Sequence, residues 1–370
     1  MYEITAAVLH SMSTNGVATT LSVERLALDD PGPSELTVAI DAAGLCHSDL
    51  SVMNGDRPRP VPMVLGHEAT GIVHQAGSAV RDIAVGQRVV LTFVPSCGRC
   101  ADCLGGRPAL CEAAASANIE GRMMAGGHRL SRNGSRVHHH LGVSAFATRA
   151  VVDRGSVVPV DQDVPAAVAA LFGCAVLTGA GAVLHSAKVR AGERVAVFGL
   201  GGIGLAAVMA ARLVGAADVL AVDPVPEKRA LALRLGATAV AEPTADLAQL
   251  RAMLSGGADV CIEAAGRIDA FETAFDLGVR GARVVSVGLP NPAARAQLSV
   301  TRLVAEGKTI VGSYLGDSVP QRDIPRLLGL WKQGRFPVDE LLSETLPLRD
   351  INAGFEGMQQ GRPVRTIVIP

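Results

Sequence analysis

The chain has 370 residues, of which 49% are hydrophobic and 19% charged, with 34 Lys and Arg against 35 Asp and Glu. This length exceeds what one hydrophobic core usually organises, so we expect two domains. The formal net charge of −1, with no block of like charge, argues against a nucleic-acid partner and against an anionic membrane surface.

The N-terminal segment MYEITAAVLH predicts no secretion signal, because Glu3 stands in it and no basic region, apolar run and cleavage site follow one another. Two uncharged stretches, residues 164–184 and 195–211, are built largely from Ala and Gly, which add little transfer energy into a membrane. We therefore expect no membrane association and predict a cytoplasmic protein, in which thiols stay reduced.

The first chemically suggestive motifs are AAGLCHSDL around Cys46 and LGHEATG around His67. These residues offer a soft and a borderline metal ligand, and Cys174, in LFGCAVLTG, could complete a site with one open position. A lone Cys or His is more often a buried core residue. The joint occurrence of the three with Asp49 and Glu68 favours a metal site.

The segment CGRCADCLGGRPALC, residues 97–111, holds four of the seven cysteines. A disulfide, a redox pair or a metal cage could each explain such crowding. Disulfides are rare in the cytosol, and a redox CxxC normally stands alone at the start of a helix, whereas two overlap here. The spacing C-x2-C-x2-C-x7-C, with Gly and Pro in the turns, favours a closed and therefore structural tetrahedral zinc site. Its predicted ligands are Cys97, Cys100, Cys103 and Cys111.

The middle of the chain has the strand, glycine loop and helix order that is typical of dinucleotide binding. ERVAVF predicts a buried strand, GLGGIG follows at residues 199–204, and an Ala-rich helical run comes next. We expect Gly199 to permit the tight turn, Gly201 to let a pyrophosphate approach the backbone, and Gly204 to allow close packing of helix on strand. The helix N-terminus would then face the phosphates.

Asp223 closes the next predicted strand, DVLAVD. A carboxylate there can accept hydrogen bonds from both ribose hydroxyls of the adenosine and would repel a 2′-phosphate, so NAD is favoured over NADP. The runs ADVCIEA and ARVVSVG, with helical stretches between them, extend a doubly wound parallel sheet, and Cys261 is expected in its core.

Together, GLCHSD, GHE, the four-cysteine cluster, the GC before the cofactor domain and GLGGIG resemble the zinc-dependent alcohol dehydrogenases of the medium-chain dehydrogenase/reductase (MDR) superfamily. The resemblance runs in the family's order to GRPVRTIVIP at the end of the sequence. It implies an α/β protein with a Rossmann NAD-binding domain over residues 175–314. It also implies a GroES-like β-rich catalytic domain over residues 1–174 and 315–370, with a structural-zinc lobe at about residues 95–113.

The resemblance also assigns roles to single residues. It gives a catalytic zinc ion to Cys46, His67 and Cys174, and thus two zinc ions per chain in all. Ser48 takes the alcohol proton; its alternative role would be to cap a helix. Many relatives have a histidine three residues further on that continues the proton relay, but this chain has Ser51 there. Asp49 orients His67, and Glu68 approaches the zinc during ligand exchange.

The cofactor and substrate residues are likewise implied by the resemblance. The nicotinamide is expected in the cleft between the domains. Lys228 helps to hold the ribose, unless it is only a solvated helix charge. The cofactor-binding residues are His47, Gly199, Gly201, Gly202, Ile203, Gly204, Asp223, Lys228, Leu289 and Arg365. The substrate pocket is formed by Phe93, His140, Leu141 and Tyr314.

The implied reaction is reversible hydride transfer between a primary or secondary alcohol, aliphatic or aromatic, and NAD. The alternative is a thiol-linked formaldehyde dehydrogenase, for which Ala115 argues against glutathione but not against mycothiol. A zinc-ribbon binding protein with a disabled catalytic domain is disfavoured by the neutral charge and the complete ligand set. The insert at residues 121–146 is similar to that of dimeric relatives, so we predict a homodimer joined through the cofactor domains.

Overall fold

The computed structural model describes residues 1–14, 19–362 and 364–370, which divide into two units. The first unit contains Met1–Cys174, Val319–Pro325 and Leu342–Pro370, and the second contains Ala175–Ser318 and Arg326–Leu341. The first boundary coincides with the predicted one.

Short strands make up most of the N-terminal part of the first unit, as its Gly- and Pro-rich turns indicate. The strands are β1 (Tyr2–Leu9), β2 (Ser22–Leu28), β3 (Glu35–Gly44), β4 (Met63–Val64), β5 (Ala69–Ala76), β6 (Arg88–Leu91), β7 (Leu130–Arg132), β8 (Ser135–His139), β9 (Arg149–Asp153) and β10 (Val157–Pro159). The helices are α1 (His47–Met53), α2 (Ala101–Leu104), α3 (Glu112–Glu120) and α4 (Ala166–Leu171). Strands β1, β2, β7, β8 and β4 close into a barrel in that order.

The second unit is one parallel sheet covered by helices. Its strands are β11 (Arg194–Phe198), β12 (Asp218–Val222), β13 (Ala239–Ala241), β14 (Ala258–Glu263), β15 (Gly278–Ser286) and β16 (Thr309–Gly312). Its helices are α5 (Ala175–Gly181), α6 (Gly202–Leu213), α7 (Pro226–Arg234), α8 (Leu247–Met253), α9 (Ile268–Leu277) and α10 (Val300–Ala305). The order β13-β12-β11-β14-β15-β16 is that of the Rossmann fold, as predicted, and Cys261 is fully buried in β14.

The last part of the chain returns to the first unit later than predicted. Helix α11 (Pro320–Lys332) is divided between the units at Pro325, and Arg326–Leu341 remains with the second unit. Assigning all of residues 315–370 to the catalytic domain was therefore wrong. The physical reason is that Val338 and Leu341 are fully buried in a short turn that packs against α6.

The remaining elements are β17 (Leu342–Pro347), α12 (Ile351–Gln359) and β18 (Arg365–Ile369). Strand β18 pairs antiparallel with β3 and completes a sheet in the order β10-β6-β5-β3-β18-β17, with β9 also pairing with β3. An apolar core of the first unit packs around this sheet, with Leu36, Val38, Val89 and Val368 among its buried residues. Among the residues that the structure describes, no helix has the length and apolarity needed to cross a membrane.

Two glycines of the GLGGIG loop have the packing roles that the sequence predicts. Gly199 has a φ of +87°, and a Cβ at Gly204 would stand 1.8 Å from the Gly199 carbonyl oxygen. Gly201 differs, because its φ is −74° and a Cβ there would meet open space. The loop thus requires glycine at Gly199 and Gly204 for folding, and leaves room at Gly201.

We predict that Gly204→Ala lowers the free energy of unfolding by ~1–3 kcal/mol, because the new methyl group must displace the Gly199 carbonyl. The matched variant Gly201→Ala should change it by less than ~0.5 kcal/mol, since no atom is in the way. Thermal and urea unfolding of both variants measure this difference. Equal stability of the two variants would contradict the packing role of Gly204.

Candidate active site and zinc sites

Three predicted metal ligands, Cys46, His67 and Cys174, come together in the first unit. Cys46 directly precedes α1, His67 lies between β4 and β5, and Cys174 follows α4. Their ligand atoms all lie within 4.8 Å of one another, and all three residues are buried. Two thiols and an imidazole at this separation form a donor set suited to zinc, with one coordination position left for a substrate.

A tight backbone turn delivers His67 to this site. Gly66 has a φ of +92°, and a Cβ there would stand 2.6 Å from the Phe146 nitrogen. The Gly66 N–H donates a hydrogen bond to Asp49 Oδ1 at 3.0 Å, and His67 Nδ1 lies 3.1 Å from the same oxygen. Since Asp49 engages Nδ1, the other ring nitrogen of His67 is left to bind a metal.

The ligand residues shift one another's pKa values in opposite directions. Although burial lowers the pKa of His67, the negative charges of Asp49 and Cys46 raise it well above its usual value. A hydrogen bond from Cys174, followed in importance by the charge of His67, lowers the pKa of Cys46. The charges of these buried groups therefore depend on one another, and a bound cation would favour the deprotonated form of each ligand.

Glu68 and Arg365 form a second buried charged group next to the cysteines. Arg365 Nη2 lies 3.4 Å from Glu68 Oε2, and Arg365 Nη1 donates to the Leu45 carbonyl at 2.8 Å. Burial alone lowers the pKa of Arg365, but the charges of Glu68 and of the two cysteines raise it. The structure thus gives Arg365 a charge-balancing contact that sequence analysis missed. Its predicted contact with a pyrophosphate, and the approach of Glu68 to zinc, stay predictions.

The four cysteines of residues 97–111 also converge, around α2 and the start of α3, with their sulfur atoms within 4.8 Å of one another. The Cys100 N–H donates to Cys97 Sγ at 3.4 Å, and the Cys97 N–H donates to Cys111 Sγ at 3.3 Å. A backbone hydrogen bond from Arg99 lowers the pKa of Cys97 to about 6, whereas burial raises that of Cys103 to about 12. The geometry fits a closed four-thiolate site.

Ser48, the predicted proton acceptor, lies at the start of α1 and is half-buried beside Cys46. His47, a predicted cofactor residue, is exposed. Ser51, which stands where many relatives have a histidine, donates its hydroxyl to the His47 carbonyl at 2.8 Å. Ser51 therefore caps a backbone carbonyl within the helix.

The predicted substrate residues are placed in different surroundings. The Phe93 ring meets His67 edge to face, with centroids 5.5 Å apart, and Leu141 is buried. Tyr314, in the second unit, is exposed, and so is the predicted cofactor residue Leu289. His140 is only 2% exposed, and its Nε2 lies 3.3 Å from Asp49 Oδ1. The structure therefore places His140 against the partner of a metal ligand, in a position that the sequence did not indicate.

The predicted cofactor residues lie around the carboxyl ends of β11 and β12. Gly201 precedes α6, whose first residues are Gly202, Ile203 and Gly204, and Lys228 is half-buried in α7. Asp223 follows β12, and its carboxylate accepts hydrogen bonds from the N–H groups of Leu200, at 2.7 Å, and Val225, at 2.9 Å. Asp223 thus holds the glycine loop as well, a role that the strand–loop–helix pattern does not reveal.

Sequence analysis missed a further carboxylate at the carboxyl ends of these parallel strands. Glu263, at the end of β14, is buried, and burial raises its pKa despite hydrogen bonds from nearby N–H groups. It accepts the N–H of Gly266 at 2.7 Å and shapes the turn that follows the strand. An acidic residue ending an otherwise apolar strand is the signal that could have indicated it.

Comparison with known proteins agrees with this geometry. A family model described as an alcohol dehydrogenase GroES-like domain matches residues 32–162, and one described as a zinc-binding dehydrogenase matches residues 202–333. The chain is 38% identical over 349 residues to putative alcohol dehydrogenase D of Mycobacterium tuberculosis, covering 93% of this chain and 95% of the relative. It is 37% identical over 369 residues to the NDMA-dependent alcohol dehydrogenase of Amycolatopsis methanolica, covering 98% of each.

Among solved structures, the chain is similar to benzyl alcohol dehydrogenase from Acinetobacter calcoaceticus, with a TM-score of 0.93, 33% identity and coverage of 100% of this chain and 99% of the other. The chain therefore belongs to the zinc-dependent alcohol dehydrogenases of the MDR superfamily, as its sequence motifs predict. It is an oxidoreductase that acts on alcohols.

We predict two zinc ions per chain, one in each cysteine site. Cys103→Ser should lower zinc content and thermal stability together, because a metal held by the four thiolates would cross-link the lobe at residues 97–111. Cys174→Ser should abolish turnover while the unfolding transition is largely kept. Metal analysis and calorimetry measure the two effects, and an active protein without zinc would refute both assignments.

Proposed function

We propose that the protein catalyses reversible oxidation of alcohols by NAD at a zinc ion held by Cys46, His67 and Cys174. The observation that carries this proposal is the buried set of two thiols and one imidazole, with Asp49 holding the far nitrogen of that imidazole. When bound, zinc lowers the pKa of a coordinated oxygen and polarises a carbonyl, which suits both directions of the reaction. The hydride chemistry itself belongs to the nicotinamide.

The protein's own groups orient the reactants and balance charge in this proposal. Asp49 keeps His67 in one tautomer and one orientation. Arg365 offsets the negative charge of Glu68 and the cysteines, so that the site does not become strongly anionic. Phe93 packs its edge on His67 and supplies an apolar wall, which also excludes water from the imidazole.

Ser48 takes the proton of the substrate hydroxyl in the proposed reaction. Its position beside Cys46 at the start of α1 supports this role. Beyond Ser48, the Ser51 hydroxyl is engaged with the His47 carbonyl, and no imidazole stands at that position. We therefore propose that the proton leaves Ser48 to water and not to a side chain at position 51.

For the substrate we propose medium-length alkyl or aromatic alcohols. The apolar side chains of Phe93 and Leu141 support this class, and one structural relative is a benzyl alcohol dehydrogenase. The assay compares reduced cofactor formed from hexanol, from benzyl alcohol, and from formaldehyde mixed with mycothiol or glutathione. Because one relative is NDMA-dependent, each alcohol is also tested with NDMA present. Turnover only with formaldehyde and a thiol would overturn the alcohol proposal.

The NAD preference is proposed on the position of Asp223. Its carboxylate is nearly buried and directed by two backbone N–H groups, so it is fixed at the end of β12. A neighbouring arginine that could bind a 2′-phosphate is already engaged, because Arg229 donates to the Asp223 and Pro224 carbonyls and pairs with Glu242. A 2′-phosphate would thus meet a fixed negative charge.

We predict a preference for NAD over NADP of at least ~100-fold in kcat/KM, or ~2.7 kcal/mol, because NADP loses one hydrogen bond to a charged acceptor, ~1.5–3 kcal/mol, and adds repulsion between the 2′-phosphate and the carboxylate. Asp223→Ser should reduce that preference ~10-fold or more, mostly through KM, since the ribose lies far from the transferred hydride. The control is Asp218→Ser, which removes an acid from the opposite end of the same strand.

Thermal unfolding must accompany these kinetics, because Asp223 also holds the Leu200 N–H. A mutant that keeps its stability and its NAD preference would exclude Asp223 as the selecting residue. A wild-type enzyme that prefers NADP would refute the cofactor proposal itself.

We also propose a homodimer joined through the second units. Strand β16 is the edge of its sheet and is largely exposed. Ile310 in β16, and Val300 and Val304 in the preceding helix α10, are exposed apolar residues. A second copy covering this edge would remove them from water.

Light scattering should therefore give a dimer for the wild-type protein. Val304→Lys should shift it towards monomer, because a charge would enter the apolar contact. Val85→Lys, at a similarly exposed valine of the first unit, should leave the mass unchanged. A wild-type monomer or tetramer would contradict the proposal.

A further inference from the structure

His140 is the third group on the carboxylate that holds the ligand imidazole. Asp49 Oδ1 lies 3.0 Å from the Gly66 nitrogen, 3.1 Å from His67 Nδ1 and 3.3 Å from His140 Nε2. We propose that His140 is a positioning residue, which keeps the Asp49 carboxylate against His67 and thereby slows the loss of metal from the Cys46, His67 and Cys174 site. This inference rests on the zinc assignment proposed above.

The strand pairing of the barrel places His140 at this position. Strand β8 runs parallel to β4, with His139 opposite Val64, so His140 leaves β8 level with the segment that leads to His67. Both strands end here and their next residues enter the site side by side. The resulting approach of His140 to His67 is therefore built into the sheet register.

The turn after His140 is tied to the turn before His67. The Phe146 N–H donates to the Leu65 carbonyl at 3.1 Å, and the Ala145 N–H donates to the Gly66 carbonyl at 2.9 Å. The backbone N–H of His140 donates to Ser144 Oγ at 2.8 Å, within a turn that has three residues at positive φ, namely Leu141, Gly142 and Ser144. The two histidines thus have little freedom to separate.

His140 can hold the Asp49 carboxylate in place because that carboxylate is buried and has few other partners. Asp49, His67 and His140 are each no more than 2% exposed. Among the described residues, Asp49 Oδ2 has no hydrogen-bond partner, so the carboxylate is held through Oδ1 alone. Burying a carboxylate that has few hydrogen-bond partners costs folding free energy, and each polar group that contacts it restrains its rotation. The His140 contact is not aligned as a hydrogen bond, so the ring acts on Asp49 Oδ1 chiefly through its dipole, at 3.3 Å.

The ring contacts restrain the same imidazole from two sides. His140 meets His67 at a centroid distance of 5.7 Å and an angle of 72°, and Phe93 meets it at 5.5 Å and 89°. Removing the His140 ring would open space beside His67 as well as freeing Asp49. For this reason the informative variants keep the volume of the side chain and change only its polarity.

The test uses His140→Phe, which keeps a ring without a donor, and His140→Gln, whose amide N–H can reach towards Asp49. The zinc-loaded variants are mixed with a chelator, and zinc release is followed over time. The Cys174→Ser protein lacks one ligand of the Cys46 site, so its time course of zinc release reports on the four-cysteine site alone. His138→Phe is the matched control, because His138 lies in β8 but contacts His128, at 3.3 Å.

We expect His140→Phe to release the zinc of the Cys46 site ~10-fold faster or more, which is the lower range for loss of a group behind a metal ligand. Release from the four-cysteine site should not change, and His140→Gln should restore most of the retention. Combined with Asp49→Asn, His140→Phe should add little, because both changes act on one contact. If His140→Phe loses its structural zinc, which would mark misfolding, His140→Leu, a bulky side chain without a polar group, takes its place in the comparison with His140→Gln.

Three results would overturn the proposal. Unchanged zinc release with a raised KM for alcohols would make His140 a substrate-wall residue. Additive effects of Asp49→Asn and His140→Phe would show that His140 does not act through Asp49. Three metal ions per wild-type chain would indicate that Asp49, His67 and His140 hold a metal themselves, since their ligand atoms lie within 4.8 Å of one another. A wild-type protein without zinc at Cys46 would refute the proposed function instead.

Discussion

Two buried carboxylates, Asp49 and Glu68, impose the main constraint on the first unit. Neither is exposed to water, so each needs compensating groups supplied by the protein. Asp49 takes them from Gly66 and His67, with His140 close by, and Glu68 takes Arg365. Breaking such a set by removing one member leaves an uncompensated charge, which is more damaging than the loss of an ordinary contact.

This constraint explains why the chain must return to the first unit at its end. Arg365 comes from β18, which pairs antiparallel with β3 through Ile367 and Gly44. That register brings the guanidinium to the Leu45 carbonyl, directly before Cys46. A metal site assembled early in the sequence is therefore electrically balanced only when the last strand is in place. We infer that truncation or displacement of β18 would disturb the site before it disturbed the second unit.

Sequence analysis located the parts of the site that local spacing determines. Cys46 and Asp49 are one helical turn apart, and the glycine before His67 indicates the turn that delivers it, so a motif of a few residues is enough. His140 could not be interpreted in this way, because its contact with Asp49 depends on the parallel pairing of β4 and β8, far apart in the chain. In the family resemblance its position counts as substrate pocket, and the strand register adds the contact with Asp49 to that prediction.

The same distinction applies to the second unit. The order of strands, glycine loop and helix was predictable because hydrophobic periodicity and glycine spacing are local signals. The assignment of Arg326–Leu341 to the second unit was not predictable, because it depends on the packing of Val338 and Leu341 against α6. Likewise, nothing in DVLAVD indicates that Asp223 would accept the Leu200 and Val225 N–H groups. Those bonds join the proposed selection of NAD to the folding of the glycine loop, because the acceptor that would bind the ribose is held in place by that loop. A change of cofactor preference would therefore require a residue that admits a 2′-phosphate and still accepts the Leu200 N–H, which a simple exchange of charge does not provide.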